Sequence, residues 1–397
     1  MTAVHIFRVA RLLAAAGVAT AALAAWAAPA TAAAPAAAPP ATASPSPTAT
    51  SSPLPAPVAT SVPARDADAA LASFTRAFYT ETLGIGRFRA ATDGSASTAF
   101  WRSAELMELV EDGYVASPGK ARRRMVAGLR RGVLARYGTQ WTDDRKFNDD
   151  VLWMVLAFIR DYELTGSRAS RDAARRNFDA VVARGLSDDL GGGLWWTTDA
   201  TQKNACVNGP GALAAYHLYL ATGETAYLDR AVSLYAWERA RLFDAATGAV
   251  YDHVSRRADG TEVLNRQTYT YNQGTFIGAA GALSLATGVP SYFVDALEAF
   301  AFARDRLTAG GILVVEGPDN TDRGGFKGIF ARYAGSFVRA DVEGGAAWLT
   351  LNAQAAWAHK DARGLVGQDW TRDTPPGRLY AFDCSSAVVL LQVLRGR

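Results

Sequence analysis

The stretch KFNDDVLWMVLAF, residues 146–158, places two aspartates, Asp149 and Asp150, directly ahead of an apolar run. Neighbouring carboxyls can divide acid–base and nucleophilic work between them. Two close negative charges raise one of the two pKa values. The free amides of a helix start favour the anion of whichever carboxyl they face. The same pair has a structural use, because Asn148, Asp149 and Asp150 all suit the first turn of a helix. Two other acidic pairs read differently. Asp143–Asp144, beside Arg145 and Lys146, reads as solvated charge, and Asp188–Asp189, before LGGG, reads as a turn. The four histidines include His5 in the leader and His359 on a surface helix, which argues against a zinc site. No metal and no cofactor are expected.

The elements that position the pair emerge from an internal repeat. LYLATGETAYLDRAVSLYAWERARLF and LSLATGVPSYFVDALEAFAFARDRL align with Gly223 and Gly288 65 residues apart. Tyr227 and Tyr292, Ala231 and Ala296, and Arg241 and Arg306 keep that spacing. A looser copy, YELTGSRASRDAARRNFDAVVARG, carries Gly166. Each copy reads as a helical hairpin. Its first helix is apolar nearly all round, hence buried. A Thr-Gly stop follows, then an amphipathic helix with Leu228, Ala231, Leu234 and Tyr235 at three- and four-residue spacing.

The pattern predicts outer helices near 66–81, 118–137, 167–184, 224–243, 289–307 and 341–360. Inner helices are predicted to begin near 97, 148, 206, 272, 326 and 383. Strand signals are scarce, apart from short pieces such as GILVVEG. The expected fold is all-α, an (α/α)6 barrel made of a toroid of six helical hairpins; an open superhelix of hairpins is the alternative. In a barrel the loops entering the inner helices converge on one cleft. Those loops are FNDD, QKNACVNG, YTYNQG and GGFKG, with GGLWW just ahead of the second. Amides, lysines and aromatic rings are suited to neutral sugars, and a shared concavity suits a ligand.

FNDDVLWMVLAF, GGLWW followed by QKNACVNGPGAL, YTYNQGTFIGA and FKGIFARY, in that order, resemble glycoside hydrolase family 76 from about Trp101 onward. The resemblance implies an endo-acting α-1,6-mannanase on an (α/α)6 barrel that retains anomeric configuration. It makes Asp149 the nucleophile and Asp150 the general acid/base. Retention needs carboxyls about 5–5.5 Å apart. Adjacent Cα atoms lie about 3.8 Å apart, and side chains diverge by about 100° along a helix, so the pair is admissible. Trp195, Trp196, Lys203, Asn204, Asn208, Tyr271, Asn272, Gln273, Phe326 and Lys327 are the expected substrate-binding residues. Cys206 stands where an aliphatic residue is expected.

The ends and the composition supply the context. His5, Arg8 and Arg11 precede an apolar, Ala-rich run from Leu12 to Ala28, which reads as a signal peptide over residues 1–28. Residues 29–64, almost wholly Ala, Pro, Ser and Thr, read as a disordered linker, and residues 65–397 as the catalytic domain. Net charge is +3, and no basic stripe interleaved with aromatics marks a nucleic-acid partner. Cys206 and Cys384 fall on the third and sixth inner helices, opposite one another, too far apart for a disulfide. The expectation is therefore a secreted or cell-surface monomer acting on α-mannan polysaccharide or a mannosylated glycolipid. A mannan transglycosylase or a non-catalytic carbohydrate-binding barrel is the alternative. An epimerase is disfavoured because only His217 and His253 remain for it.

Overall fold

The computed structural model describes residues 59–340 and 342–396. The expected signal peptide and most of the expected linker lie outside these residues. Those from Ala59 to Pro63 are described, and the Val62 amide donates to the Leu394 carbonyl at 3.0 Å. Among the described residues no helix is long and apolar enough to cross a membrane.

Twelve helices among the described residues alternate in two layers. The outer layer is α1 (Ala64–Phe78), α3 (Lys120–Tyr137), α5 (Arg168–Gly185), α7 (Thr225–Arg241), α9 (Pro290–Arg306) and α11 (Gly345–Ala358). The inner layer is α2 (Phe100–Ala116), α4 (Asn148–Thr165), α6 (Ala205–Thr222), α8 (Thr270–Thr287), α10 (Phe326–Phe337) and α12 (Ala381–Val393). Each inner helix packs on the next and α12 packs on α2, so the ring is closed. This is the (α/α)6 barrel, and the open superhelix is excluded.

The repeat works as its sequence implies. Thr165, Thr222 and Thr287 end three inner helices, and each hydroxyl donates to the carbonyl four residues back at 2.7–2.8 Å. Gly166, Gly223 and Gly288 follow in left-handed conformation, with φ of 77°, 76° and 70°, which a residue without a Cβ adopts freely. Small residues also let the inner helices approach. A Cβ at Gly274 of α8 would stand 2.5 Å from the Phe330 Cα of α10.

The strands are where expectation and structure part. Ile312–Leu313 from GILVVEG pairs only with Thr308–Ala309. Two longer hairpins went unread. β1 (Tyr79–Thr82) pairs with β2 (Ile85–Phe88). β5 (Ala249–Arg256) pairs with β6 (Glu262–Thr268), and its other neighbours are β3 (Gln202–Asn204) and β4 (Phe243–Asp244). Both hairpins occupy connections from an outer to an inner helix. Such connections can hold β structure without disturbing the helical period that dominates the sequence.

Candidate active site

Inner helices start at one end of the barrel, and equivalent first-turn positions face one another there. The second residues of α2, α4, α6, α8 and α12 are Trp101, Asp149, Cys206, Tyr271 and Phe382. Trp101 meets Phe382 edge-on at 4.9 Å and Trp153 at 6.3 Å. Tyr271 stacks on Phe326, the first residue of α10, at 3.8 Å and 14°. The Cys206 thiol donates to Asp149 Oδ2 at 3.4 Å. An aromatic floor thus lies beside the aspartate pair.

Asp149 and Asp150 are the second and third residues of α4, both half-buried. The N-cap is Phe147, and no side chain caps the helix. The capping use that the sequence allowed is therefore not made. Asn148 is engaged elsewhere, since its amide donates to the Trp195 carbonyl at 2.8 Å and its Oδ1 accepts from Arg184 at 2.7 Å. Burial raises the Asp149 carboxyl to about 6, against the pull of Trp196, Cys206 and the backbone amides at the helix start. Burial raises Asp150 further, to about 8, and the charges of Asp149 and Asp322 add to it while Arg145 opposes. Near neutrality the pair can hold one proton, on Asp150.

Four buried polar atoms among the starts of α4, α6 and α8 and the loop before β3 have no hydrogen-bond partner in the protein: Asp149 Oδ1, Trp196 Nε1, Asn204 Oδ1 and Asn272 Oδ1. Trp196 pulls on the Asp149 charge without meeting full hydrogen-bond geometry. Buried polar groups are seldom left unpaired. Three of them at the starts of α4, α6 and α8, with Trp196 on the loop ahead of β3, make a site that a polyhydroxylated ligand could satisfy.

Not every expected binding residue belongs to it. Lys203 is buried, and its ammonium lies within 3.0 Å of the carbonyls of Ser187, Asp189, Gly192 and Gly193 and of the Ser187 hydroxyl. It staples the loop behind Trp195, over whose ring it sits at 4.5 Å. Asn208 pins Leu194, taking its amide at 2.8 Å and donating to its carbonyl at 3.2 Å. Gln273 holds the β4–β5 turn through the Val250 amide and the Gly248 carbonyl. Lys327 donates to the Gln368 carbonyl and lies 3.9 Å over the Trp370 ring. The structure thus gives these four internal partners: Lys203, Asn208 and Gln273 hold loops through their polar atoms, and Lys327 is buried against Gln368 and Trp370. Trp195 is half-buried beneath the Lys203 ammonium. Trp196, Asn204, Tyr271, Asn272 and Phe326 remain at the cleft.

Sequence reasoning missed Trp101, Asp252, Asp322 and Asp383. Asp252 on β5 accepts from Asn272 at 3.5 Å and lies 2.8 Å from the His253 ring. Its charge is felt by Cys206 and Tyr271. Asp322 accepts from the Trp101 indole at 3.2 Å and from Arg102 at 2.9 Å. Asp383, third in α12 as Asp150 is in α4, keeps a buried unpartnered Oδ1 and is raised to about 7 by burial. Applying the first-turn rule to all six inner helices would have found Trp101 and Asp383. Asp252 and Asp322 lie on loop elements that the helical period does not reach.

Residues 64–392 match the family model described as Glycosyl hydrolase family 76. The chain belongs to glycosyl hydrolase family 76. Within that family it is similar to the solved α-1,6-mannanase of Salegentibacter sp. HEL1_6, with 30% identity and a TM-score of 0.76, covering 83% of this chain and 98% of that one. An inactive variant of that enzyme, with two consecutive aspartates replaced by asparagine, was solved with α-1,6-mannotriose and matches equally well. Among curated proteins, the mannan endo-1,6-alpha-mannosidase DCW1 of Candida glabrata is 33% identical over 214 residues, 49% of this chain and 48% of the relative. The DCW1 of Saccharomyces cerevisiae is 32% identical over 201 residues, 48% and 43% of the two chains. The family 76 chain thus spans about half the length of the curated relatives it matches.

Proposed function

We propose that this family 76 barrel is a secreted or cell-surface endo-α-1,6-mannanase that cleaves mannan backbones by double displacement with retention. One observation carries the reading. Two adjacent carboxyls open the second inner helix, neither caps it, and their surroundings leave one ionised and the other protonated near neutral pH. The relatives named for α-1,6-mannans, and the paired-aspartate variants that inactivate one of them, support it.

In this mechanism Asp149, as the anion, attacks the anomeric carbon. Asp150 gives its proton to the departing glycosidic oxygen, and a mannosyl ester forms on Asp149. Asp150, now charged, takes a proton from water. That water attacks the same carbon and frees Asp149, so two inversions give net retention. Trp196, Asn204 and Asn272 offer their unpartnered atoms to sugar hydroxyls, and Tyr271, Phe326 and Trp101 offer ring faces. No metal or cofactor takes part in these steps.

Proton NMR of a fresh digest of linear α-1,6-mannan tests this. The α-anomer should appear first and mutarotate; first appearance of the β-anomer rejects double displacement. A transglycosylase differs only in resolving the ester with a sugar hydroxyl. Transfer products formed on adding a mannoside acceptor would favour it over hydrolysis. Binding of mannan without any turnover would leave only a carbohydrate-binding barrel.

A further inference from the structure

The connection from α1 to α2 carries a feature that the cleft does not explain. In the β1–β2 hairpin Thr80 pairs with Arg87 and Thr82 with Ile85, while Tyr79, Glu81, Gly86 and Phe88 alternate with them. The second set faces α3. Phe88 is buried, Gly86 lies against the Gly128 backbone, and Glu81, the hairpin's only acid, accepts from the Tyr79 hydroxyl at 2.8 Å. The outward face therefore carries no negative charge.

Its tip is apolar and stands in water. Leu83 is 97% exposed and Ile85 43%. Leu83 also holds a left-handed turn conformation, φ 51°, a position usually given to Gly, Asn or Asp. Beside the strands lies a hollow of about 470 Å³ lined by Thr80, Arg87, Arg89, Asp93, Gly94, Ala96 and Ser97. Its one carboxylate is engaged, since Asp93 pairs with Arg378 at 3.1 Å and accepts from the Ser95 amide at 3.0 Å. Among the described residues no carboxylate pairs with Arg87 or Arg89. The neighbouring α3 contains no acidic residue, and its Arg124 and Arg131 are exposed. Arg131 ties the hairpin down by donating to the Gly84 carbonyl at 2.7 Å.

We propose that this hairpin face is a docking surface for an anionic phospholipid bilayer. Leu83 and Ile85 enter the interface, and a headgroup phosphate lies in the Arg87–Arg89 hollow. A soluble polyanion would account for the arginines but leave Leu83 and Ile85 in water. An uncharged apolar partner would account for those two and leave the arginines unmatched. An anionic bilayer presents negative charge over an apolar layer and accounts for both. The hairpin leads into an inner helix, as the cleft loops do, so docking holds that end of the barrel near the membrane. This inference does not depend on what the cleft hydrolyses.

The test uses the full chain with one polarity-sensitive dye, attached through Leu83→Cys or, as control, through Leu220→Cys on the far end of α6. Cys206 and Cys384 are buried. Vesicles of phosphatidylcholine containing phosphatidylglycerol should blue-shift the dye at position 83 and leave the dye at 220 unchanged. Pure phosphatidylcholine should shift neither. Arg87→Gln and Arg89→Gln should each weaken the response about fivefold. The proposal is overturned by no shift at 83 on the anionic vesicles, by equal shifts at both positions, or by indifference to the arginine changes. A shift with heparin as large as that with vesicles would overturn it in favour of a soluble polyanion.

Discussion

Asp149 and Asp150 differ in what surrounds them. Both are raised by burial, but Asp149 has Trp196, Cys206 and the helix amides to favour its anion, and Asp150 has only the charge of Arg145. Asp150 meets further negative charge from Asp149 and Asp322. The proposed mechanism needs Asp149 ionised and Asp150 protonated. Activity should therefore fall as pH drops through about 6 and as it rises through about 8, a bell in kcat/KM against pH. Cys206→Val removes a donor to Asp149, which raises that carboxyl. The acid limb should move to higher pH while the alkaline limb stays. An unmoved acid limb in a folded variant would remove Cys206 from this role. At this scale the sequence disclosed the aspartates and the aromatic residues, because residue type and helix start suffice to place them. It did not disclose the internal partners of Lys203, Asn208, Gln273 and Lys327. A polar residue in a cleft loop can serve the loop or the ligand, and only the positions of its partners decide between them.

The loops around the cleft are held by single side chains. Lys203 gathers four carbonyls between Ser187 and Gly193. Lys203→Met removes the donor that these carbonyls share, leaving Gly193 and Asp189 only their long backbone bonds from Ser187 and Gly192, which should cost about 1–3 kcal/mol of stability in chemical denaturation. It should also lower activity by loosening the Trp195–Trp196 segment. Gly132 on α3 lies under the Gly86 carbonyl, with no room for a Cβ. Gly132→Ala should thus lift the β1–β2 hairpin and speed amide exchange over residues 79–88, with the inner helices unaffected. Inner and outer helices were legible to within about four residues at their predicted bounds, since the inner helices are largely apolar and three of them, α4, α6 and α8, end in a Gly stop. The hairpins were not. β5 and β6 alternate polar and apolar residues only weakly, and their role is to bring Asp252 to the cleft, not to fill the core.

At the scale of the barrel, closure depends on buried charge as well as apolar packing. Arg332 of α10 reaches across the interior to Glu105, Glu108 and Asp112 of α2 at 2.7, 3.2 and 3.0 Å. Breaking a buried network by removing one partner costs about 3–5 kcal/mol, and Arg332→Leu should lose about that much in urea unfolding. Its catalytic pH profile should keep its shape, since the network lies away from the aspartate pair. This network is hidden in the sequence because the four acids of α2 and Arg332 of α10 are more than 200 residues apart, and only closure of the ring brings them together. Cys206 and Cys384 are both free, as their positions on opposite inner helices require.

The central claim is that Asp149 and Asp150 together break an α-1,6-mannosidic bond. Its most direct test is the rate at which the wild-type chain, Asp149→Asn and Asp150→Asn shorten linear α-1,6-mannan, with folding of each confirmed by circular dichroism. The wild type should yield short oligosaccharides. Each variant should keep its fold and lose on the order of a thousandfold or more in rate. Full activity in either folded variant would contradict the account.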